Sequence, residues 1–407
     1  MTARRVGLAG ATAIGLGSML GAGVFVVWGP AAAAAGGLLP WAVALAGLVA
    51  VLNAGSTAQL AAVHPVAGGA YAFGRAELGE WPGFLAGLGF VLGKTASVAA
   101  IGLAIGVYVW PERPALVATV AIAASWALNS RGITRTAGAS IAIAGFVIAV
   151  LLLVPAAAEQ APGASVGSGP GWTGVLAAAP LLFFAFAGYA RIATLGEEVR
   201  DPARVIPRAI GGALTLVLTV YLMLALVLPR ALGDDLAGST APVADAVAGS
   251  WLPVPLITAA AAVAAAGSLL ALTAGVGRTA MAMARAGDLP RRLARQNSRG
   301  VPALAEGASA LAAVGLAWWG DLTLAIAMSS FAVLLYYAVA NAAAFRAAGA
   351  GHVAGWRMAR PLSALGLALC VGLMAWLPPV AIAAAAGVLV VGLAVRALIQ
   401  ARARTSA

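Results

Sequence analysis

Residues Gly15-Leu16-Gly17-Ser18-Met19-Leu20-Gly21-Ala22-Gly23-Val24-Phe25 interrupt the first long apolar run of the chain. Gly15, Gly17, Gly21 and Gly23 weaken any helix built through them. The rest of the chain makes the interruption informative. Of 407 residues, 62% are hydrophobic and 9% charged, and the mean hydropathy is +0.99. A soluble domain carries about 25% charged residues, so a soluble enzyme, a disordered chain and a disulfide-stapled module are excluded. Cys370 is the one cysteine and lies in an apolar run, so no internal disulfide forms. Within a bilayer, opened backbone is tolerated only beside protein or water. The stretch therefore reads as a membrane helix that comes undone. Two blander readings compete. Gly17 and Gly21 fit the small-residue spacing of helix packing. Gly15-x-Gly17 superficially starts a dinucleotide fingerprint, but no strand precedes it.

A membrane helix needs about 20 mostly apolar residues. Working outward, candidate spans fall at 7–36, 40–63, 82–109, 114–128, 137–154 and 175–194. Six more fall at 209–228, 254–277, 303–319, 322–345, 361–377 and 380–395. The expectation is an all-α membrane protein of about 12 spans, because none of these runs alternates as a barrel strand does.

Arginine placement orients the chain. With the N-terminus inside, every arginine except Arg113, Arg191 and Arg230 falls in a cytoplasmic segment. Glu112, Glu159, Asp234, Asp235, Asp245 and Asp321 fall outside. The positive-inside rule then puts both termini in the cytoplasm and accounts for the net charge of +11 without nucleic acid. Arg4 and Arg5 before an apolar run imitate a secretory leader, but that run is long, glycine-broken and followed by eleven more spans. The preference for Arg, Ala and Gly suggests a GC-rich bacterial genome and hence a bacterial cell membrane.

The sixth span carries a second interruption, Phe183-Phe184-Ala185-Phe186-Ala187-Gly188-Tyr189-Ala190-Arg191. Spans one and six head two halves of five, and paired interruptions at matching places point to a secondary-transporter binding site. The half-helix starting after Gly23 presents unpaired N–H groups and a positive dipole end, suited to a carboxylate. The half-helix ending near 184–187 presents carbonyls, suited to an ammonium. Both ends together suit an α-amino acid.

At this point the chain resembles the amino acid–polyamine–organocation (APC) transporters. Gly17-Ser18-Met19-Leu20-Gly21-Ala22-Gly23-Val24-Phe25 looks like that family's first unwound segment. His64-Pro65-Val66-Ala67-Gly68-Gly69-Ala70-Tyr71 looks like its Pro-x-x-Gly-Gly-x-Tyr loop. Phe183 to Ile210 resembles its sixth helix and following loop, and Arg278 to Pro290 the loop after its eighth. The match covers roughly 7–345. It implies a single transporter domain: one repeat over 7–154, an inverted second over 172–345, and two added helices over 361–395. Helices one and six would be discontinuous. It also implies an amino acid or amine substrate. Carried over by position, the Gly21, Ala22 and Gly23 segment would hold the carboxylate. The carbonyls of Met19, Phe184 and Ala187, beside Gly188, would receive the ammonium. Phe184 and Phe186 would wall the pocket. Two departures stand out. Ala190 replaces a carboxylate that several relatives carry, and the fifth span lacks the charged lysine of others.

Lys94 is the one lysine and sits mid-span, at an insertion cost of roughly 2.5–3.5 kcal/mol. It is expected to be a coupling group or an anchor for carbonyls. Arg191, Glu197 and Glu198 are gate candidates. Asn53, Gln59, Ser268, Thr273 and Asn341 read as interhelical hydrogen bonds, Ser268 also as a contact in the eighth span. His64 and His352 are too few and too far apart in sequence for a metal site. Trp41, Trp81, Trp110, Trp126, Trp318, Trp319 and Trp376 read as the interfacial belt.

The expected function is secondary transport of neutral, apolar L-amino acids by alternating access, by proton coupling or by exchange, with no cofactor and no protein partner evident. Cationic amino acids or polyamines are the alternative cargo. A channel would need charge rings or a filter loop. A membrane-embedded enzyme would need a nucleophile–base pair. Neither is visible.

Overall fold

The computed structural model describes residues 6–64, 68–132, 137–158, 167, 169–189, 192, 199–352 and 358–405. Among the described residues the structure is helical, apart from one isolated parallel bridge between Val6 and Val199. The α-helices are α1 (Leu8–Met19), α2 (Gly23–Val26), α3 (Trp28–Ala35), α4 (Leu39–Val63), α5 (Ala70–Leu78), α6 (Glu80–Val109), α7 (Pro114–Ser130) and α8 (Ala137–Ala157). They continue as α9 (Trp172–Phe186), α10 (Pro202–Leu232), α11 (Pro242–Asp245), α12 (Val254–Arg285), α13 (Ala303–Trp319), α14 (Leu322–Gly349), α15 (Arg360–Met374) and α16 (Pro379–Thr405).

Among the described residues, 9 helical stretches are long and apolar enough to cross a bilayer, the first two being Leu8–Val26 and Trp28–Val63. Three shorter apolar helices, α7, α13 and α15, join them. A 17-residue helix rises only about 25 Å, which is why α7 and α13 fall short of a hydrocarbon core about 30 Å thick.

Several ends differ from the sequence expectation. α12 continues past 277 to Arg285, and α16 past 395 to Thr405. Arg396, expected in the cytoplasmic segment after the last span, is consequently helical and fully buried. The segment after the second span winds into α5 once Gly69 (φ 56°) has turned the chain.

α6 lies at the centre of the packing, against α14, α12, α7 and α5. α1 packs on α10 and α8, while α9 packs on α4 and α14. α7 packs on α13 and α12. Polar pins fix these contacts. Asn341 Nδ2 donates to Asn53 Oδ1 (2.6 Å), joining α14 to α4. Gln59 accepts from the Met358 N–H (2.8 Å), and Ser125 donates to Thr273 Oγ1 (3.3 Å). Without water to compete, such bonds are worth roughly 0.6–2 kcal/mol each. Trp41, Trp318 and Trp319 are exposed, as belt residues should be.

Candidate functional site

Helix is broken at both interruptions. α1 ends at Met19, and the Leu20 N–H still reaches the Leu16 carbonyl at 2.7 Å. Helix resumes at Gly23. The N–H groups of a resuming first turn have no intrahelical acceptor. α9 ends at Phe186, tightens into a 3₁₀ turn over Ala187–Tyr189, and contains Pro180 within its length.

The two breaks touch through positions where only glycine fits. A Cβ on Gly188 would overlap the Ser18 carbonyl, and one on Gly23 would come within 2.9 Å of the Ala185 Cα. A Cβ on Gly21 would overlap the Ser268 hydroxyl of α12. The Tyr221 hydroxyl, on α10, sits between the breaks, 2.9 Å from the Met19 carbonyl and 3.1 Å from that of Ala185. Tyr108 donates to the Phe25 carbonyl (3.0 Å).

Beside the breaks lies a cavity of about 270 Å³. Met19, Gly21, Ala22, Gly23, Phe184, Ala187, Gly188 and Lys94 all line it. Phe186 does not. Its ring turns away and packs edge-on against Tyr221, with centroids 4.8 Å apart. The apolar wall is supplied by Phe90, Ile101 and Leu272. Lys94 and Arg278 are the charged side chains among the described lining residues. The cavity runs on to Gly68, Thr279 and Ala282, toward the end of the bundle that carries the arginine-rich loops.

Lys94 reaches across from α6 and donates to the Ala187 carbonyl at 3.3 Å. Each carbonyl expected at an ammonium therefore already has one donor. Ala187 has Lys94, Met19 has Tyr221, and Phe184 has the Ala187 N–H. A carbonyl oxygen has two lone pairs, so each retains capacity for a ligand. Ser268 approaches the Gly17 carbonyl at 3.5 Å, so it too belongs to the first break. The gate candidates Arg191, Glu197 and Glu198 lie outside the described residues.

Two clusters escaped the sequence reading. His64 Nε2 lies 2.7 Å and His352 Nδ1 3.4 Å from the same Glu77 oxygen. No group of three His, Cys, Asp or Glu side chains suited to a metal occurs among the described residues. Asp288, 2% exposed, accepts from Arg396 Nε (2.7 Å), Arg75 Nη1 (2.8 Å) and the Tyr71 hydroxyl (2.8 Å). Burial, then the Asp288 carboxylate, push the Tyr71 phenol up to about 12. Arg396 also stacks on Trp81, 4.2 Å from the ring centroid. Glu306, in the first turn of α13, is 1% exposed and its Oε2 has no hydrogen-bond partner. A lone acid in an apolar span is a signal available in the sequence.

A family model for amino acid permeases matches residues 10–404. The chain is 49% identical over 414 residues to an uncharacterized transporter of Mycobacterium tuberculosis, covering 98% of this chain and 93% of that one. It is 27% identical over 324 residues to the branched-chain amino acid permease BcaP of Bacillus subtilis, covering 72% and 69%. It is also 28% identical over 372 residues to the chloroplastic cationic amino acid transporter 6 of Arabidopsis thaliana, covering 82% and 64%. A match over nearly the whole chain, on helices suited to a membrane, identifies a multi-pass amino acid transporter rather than an enzyme: the chain belongs to the amino acid permease family.

Proposed function

We propose that this permease is a secondary carrier of neutral, apolar L-amino acids that works by alternating access. The observation that carries the reading is the lining of the cavity. Backbone from two broken helices meets Phe90, Ile101, Phe184 and Leu272 there, with Lys94 and Arg278 as the charges and no carboxylate among the described lining residues. A zwitterion's carboxylate would meet the N–H groups of 21–23 and its ammonium the spare lone pairs at Met19, Phe184 and Ala187. A cationic side chain would find two like charges and no partner, which argues against the cargo that the plant relative's name carries. In this arrangement Lys94 orders the second break, and it remains a candidate coupling group.

The packing supports two five-span repeats within one domain of twelve spans. Take the spans in order, with α1–α3 as the first, α4 the second, α6 the third, α7 and α8 the fourth and fifth, and α9 the sixth. The remaining spans of the second half are α10, α12, α13 and α14. Span one packs on seven, as six packs on two. Span one packs on five, as six packs on ten, and three packs on eight and four on nine. Each pairing maps onto another, or onto itself, when five is added. With arginine-rich loops facing the cytoplasm, a cavity that reaches Gly68 and Ala282 is open inward.

Counterflow in proteoliposomes tests the reading. Labelled leucine, isoleucine, valine or phenylalanine should accumulate transiently against its unlabelled counterpart, with arginine and lysine failing to compete. Ohmic current without counterflow, or competition by arginine alone, would overturn it.

A further inference from the structure

Lys94 is 5% exposed, and an ammonium has three donors. Among the described residues it uses one, on the Ala187 carbonyl, a neutral acceptor at 3.3 Å. Ser97, a turn further along α6, is engaged with the Gly93 carbonyl (3.0 Å) and with Ser329 (2.7 Å). No carboxylate lines the cavity among the described residues. A cation buried in a span is costly unless it finds a partner. Lys94 thus faces the cavity with idle donors and no counter-charge, as half of an anion site.

Position decides which anion. Ala187 belongs to the second break, and Gly188 next to it packs on Ser18 and Met19 of the first. Gly23 in turn packs on Phe184 and Ala185. Lys94 therefore stands at the junction of the two breaks. The other cation of the cavity does not. Gly21 lies against Ser268, and Arg278 stands roughly ten residues further along α12, a rise of about 15 Å. A ligand ammonium on the spare lone pair of Ala187 would share one oxygen with Lys94. Two cations on one carbonyl repel, and a buried site screens them poorly. A zwitterion brings its own remedy. Its carboxylate is attached to the carbon that bears its ammonium, and it accepts from the idle donors in charge-assisted bonds. An amine brings no such group.

We propose that Lys94 makes a carboxylate obligatory in the substrate: it binds the carboxylate of an α-amino acid and rejects an amine of the same shape. The N–H groups of 21–23 hold part of the carboxylate and Lys94 the rest, since two oxygens offer about four lone-pair sites. The chain's one lysine then separates amino acids from their decarboxylated amines. The carbonyls of the two broken helices could not do so alone, because both ligands present them with the same ammonium. The proposal rests on the carrier reading above.

Three ligands test this: leucine, 3-methylbutylamine (leucine without its carboxylate) and 4-methylpentanoate (leucine without its ammonium). Each is titrated calorimetrically into the wild type, Lys94→Met and Lys94→Gln in detergent. Wild-type leucine counterflow is measured in proteoliposomes alongside. The wild type should bind leucine far more tightly than 3-methylbutylamine, and 4-methylpentanoate more tightly than the amine. In Lys94→Met the affinity for leucine should fall roughly ten- to a hundredfold. Affinity for 4-methylpentanoate should fall with it, while 3-methylbutylamine binds as well as before or better. Lys94→Gln returns a neutral donor without the charge, and its leucine-to-amine ratio should stay as low as that of Lys94→Met. A lysine that only orders the second break would lower all three affinities alike in Lys94→Met, and that result overturns the proposal. A leucine-to-amine ratio restored in Lys94→Gln overturns it too. So does a wild type that binds the amine as tightly as leucine, a comparison that needs no variant to fold. Wild-type counterflow with any of these results sinks this proposal alone, whereas no wild-type counterflow sinks the carrier reading with it.

Discussion

Lys94 donates to the carbonyl of Ala187 across 3.3 Å, linking the middle of α6 to the point where α9 comes undone. The bond gives the chain's one lysine a definite task, ordering the second break. Lys94→Met keeps most of the length and removes the donor. Stranding a buried acceptor costs about 1–3 kcal/mol, so initial uptake should fall roughly fivefold to a hundredfold. Proteoliposome uptake at matched protein density checks this, and an unchanged rate would remove the task.

Gly188 faces the Ser18 carbonyl with no room for a methyl group. Backbone cannot swing aside as a side-chain tip can. Gly188→Ala should separate the two breaks, lowering stability by about 1–3 kcal/mol and abolishing counterflow. Gly211→Ala, where a Cβ meets nothing within 4 Å, is the control and should retain both. Thermal unfolding in detergent and counterflow are the measurements.

Asp288 gathers three donors, whereas Arg396 supplies one of them. Removing one side of a buried pair costs about 3–5 kcal/mol. Asp288→Leu leaves Arg396 and Arg75 only the exposed Glu80 carboxylate, 3.5 Å from each, and should show most of that loss. Arg396→Met leaves Asp288 with Arg75 and Tyr71, so its cost should be smaller. The order of the two melting temperatures decides the matter.

Tyr71 carries a pH prediction. Its phenol is raised from 10.0 to about 12, with burial as the main cause and Asp288 next. A group whose folded value is raised gives its full stabilisation below the unfolded value and loses it as pH climbs through the folded one. The destabilisation caused by Tyr71→Phe should therefore be constant from about pH 6 to 9 and should shrink only above pH 10. Melting curves of the pair across that range test it.

Much of this was legible in the residues. Gly21, Gly23 and Gly188 mark both breaks, because glycine in an apolar run is costly unless close approach repays it, whereas Gly15 and Gly17 stay within α1. Lys94 was conspicuous by its depth, but its partner was not, since a carbonyl has no letter in the sequence. Phe186 was expected at the cavity beside Phe184. On a helix, residues two apart face different ways, and Phe186 met Tyr221 instead. His64 and His352 looked unrelated because the carboxylate that joins them lies on α5, read as loop. Arg396, just past the last apolar run, reads in the sequence as one more cytoplasmic arginine. Charge bias locates residues relative to a membrane, and it does not say which of them the fold then buries.

The clasp at Asp288 also bears on how the protein is made. Arg396 lies 108 residues downstream. A ribosome delivers the acid, and then three more membrane helices, before the arginine that meets it emerges. Until α16 is inserted, Asp288 depends on Arg75 and Tyr71, both made earlier, to shield its charge. Chains stalled or truncated before 396 should thus present quality-control proteases with an unlatched end of the bundle, which the C-terminal half of α16 closes.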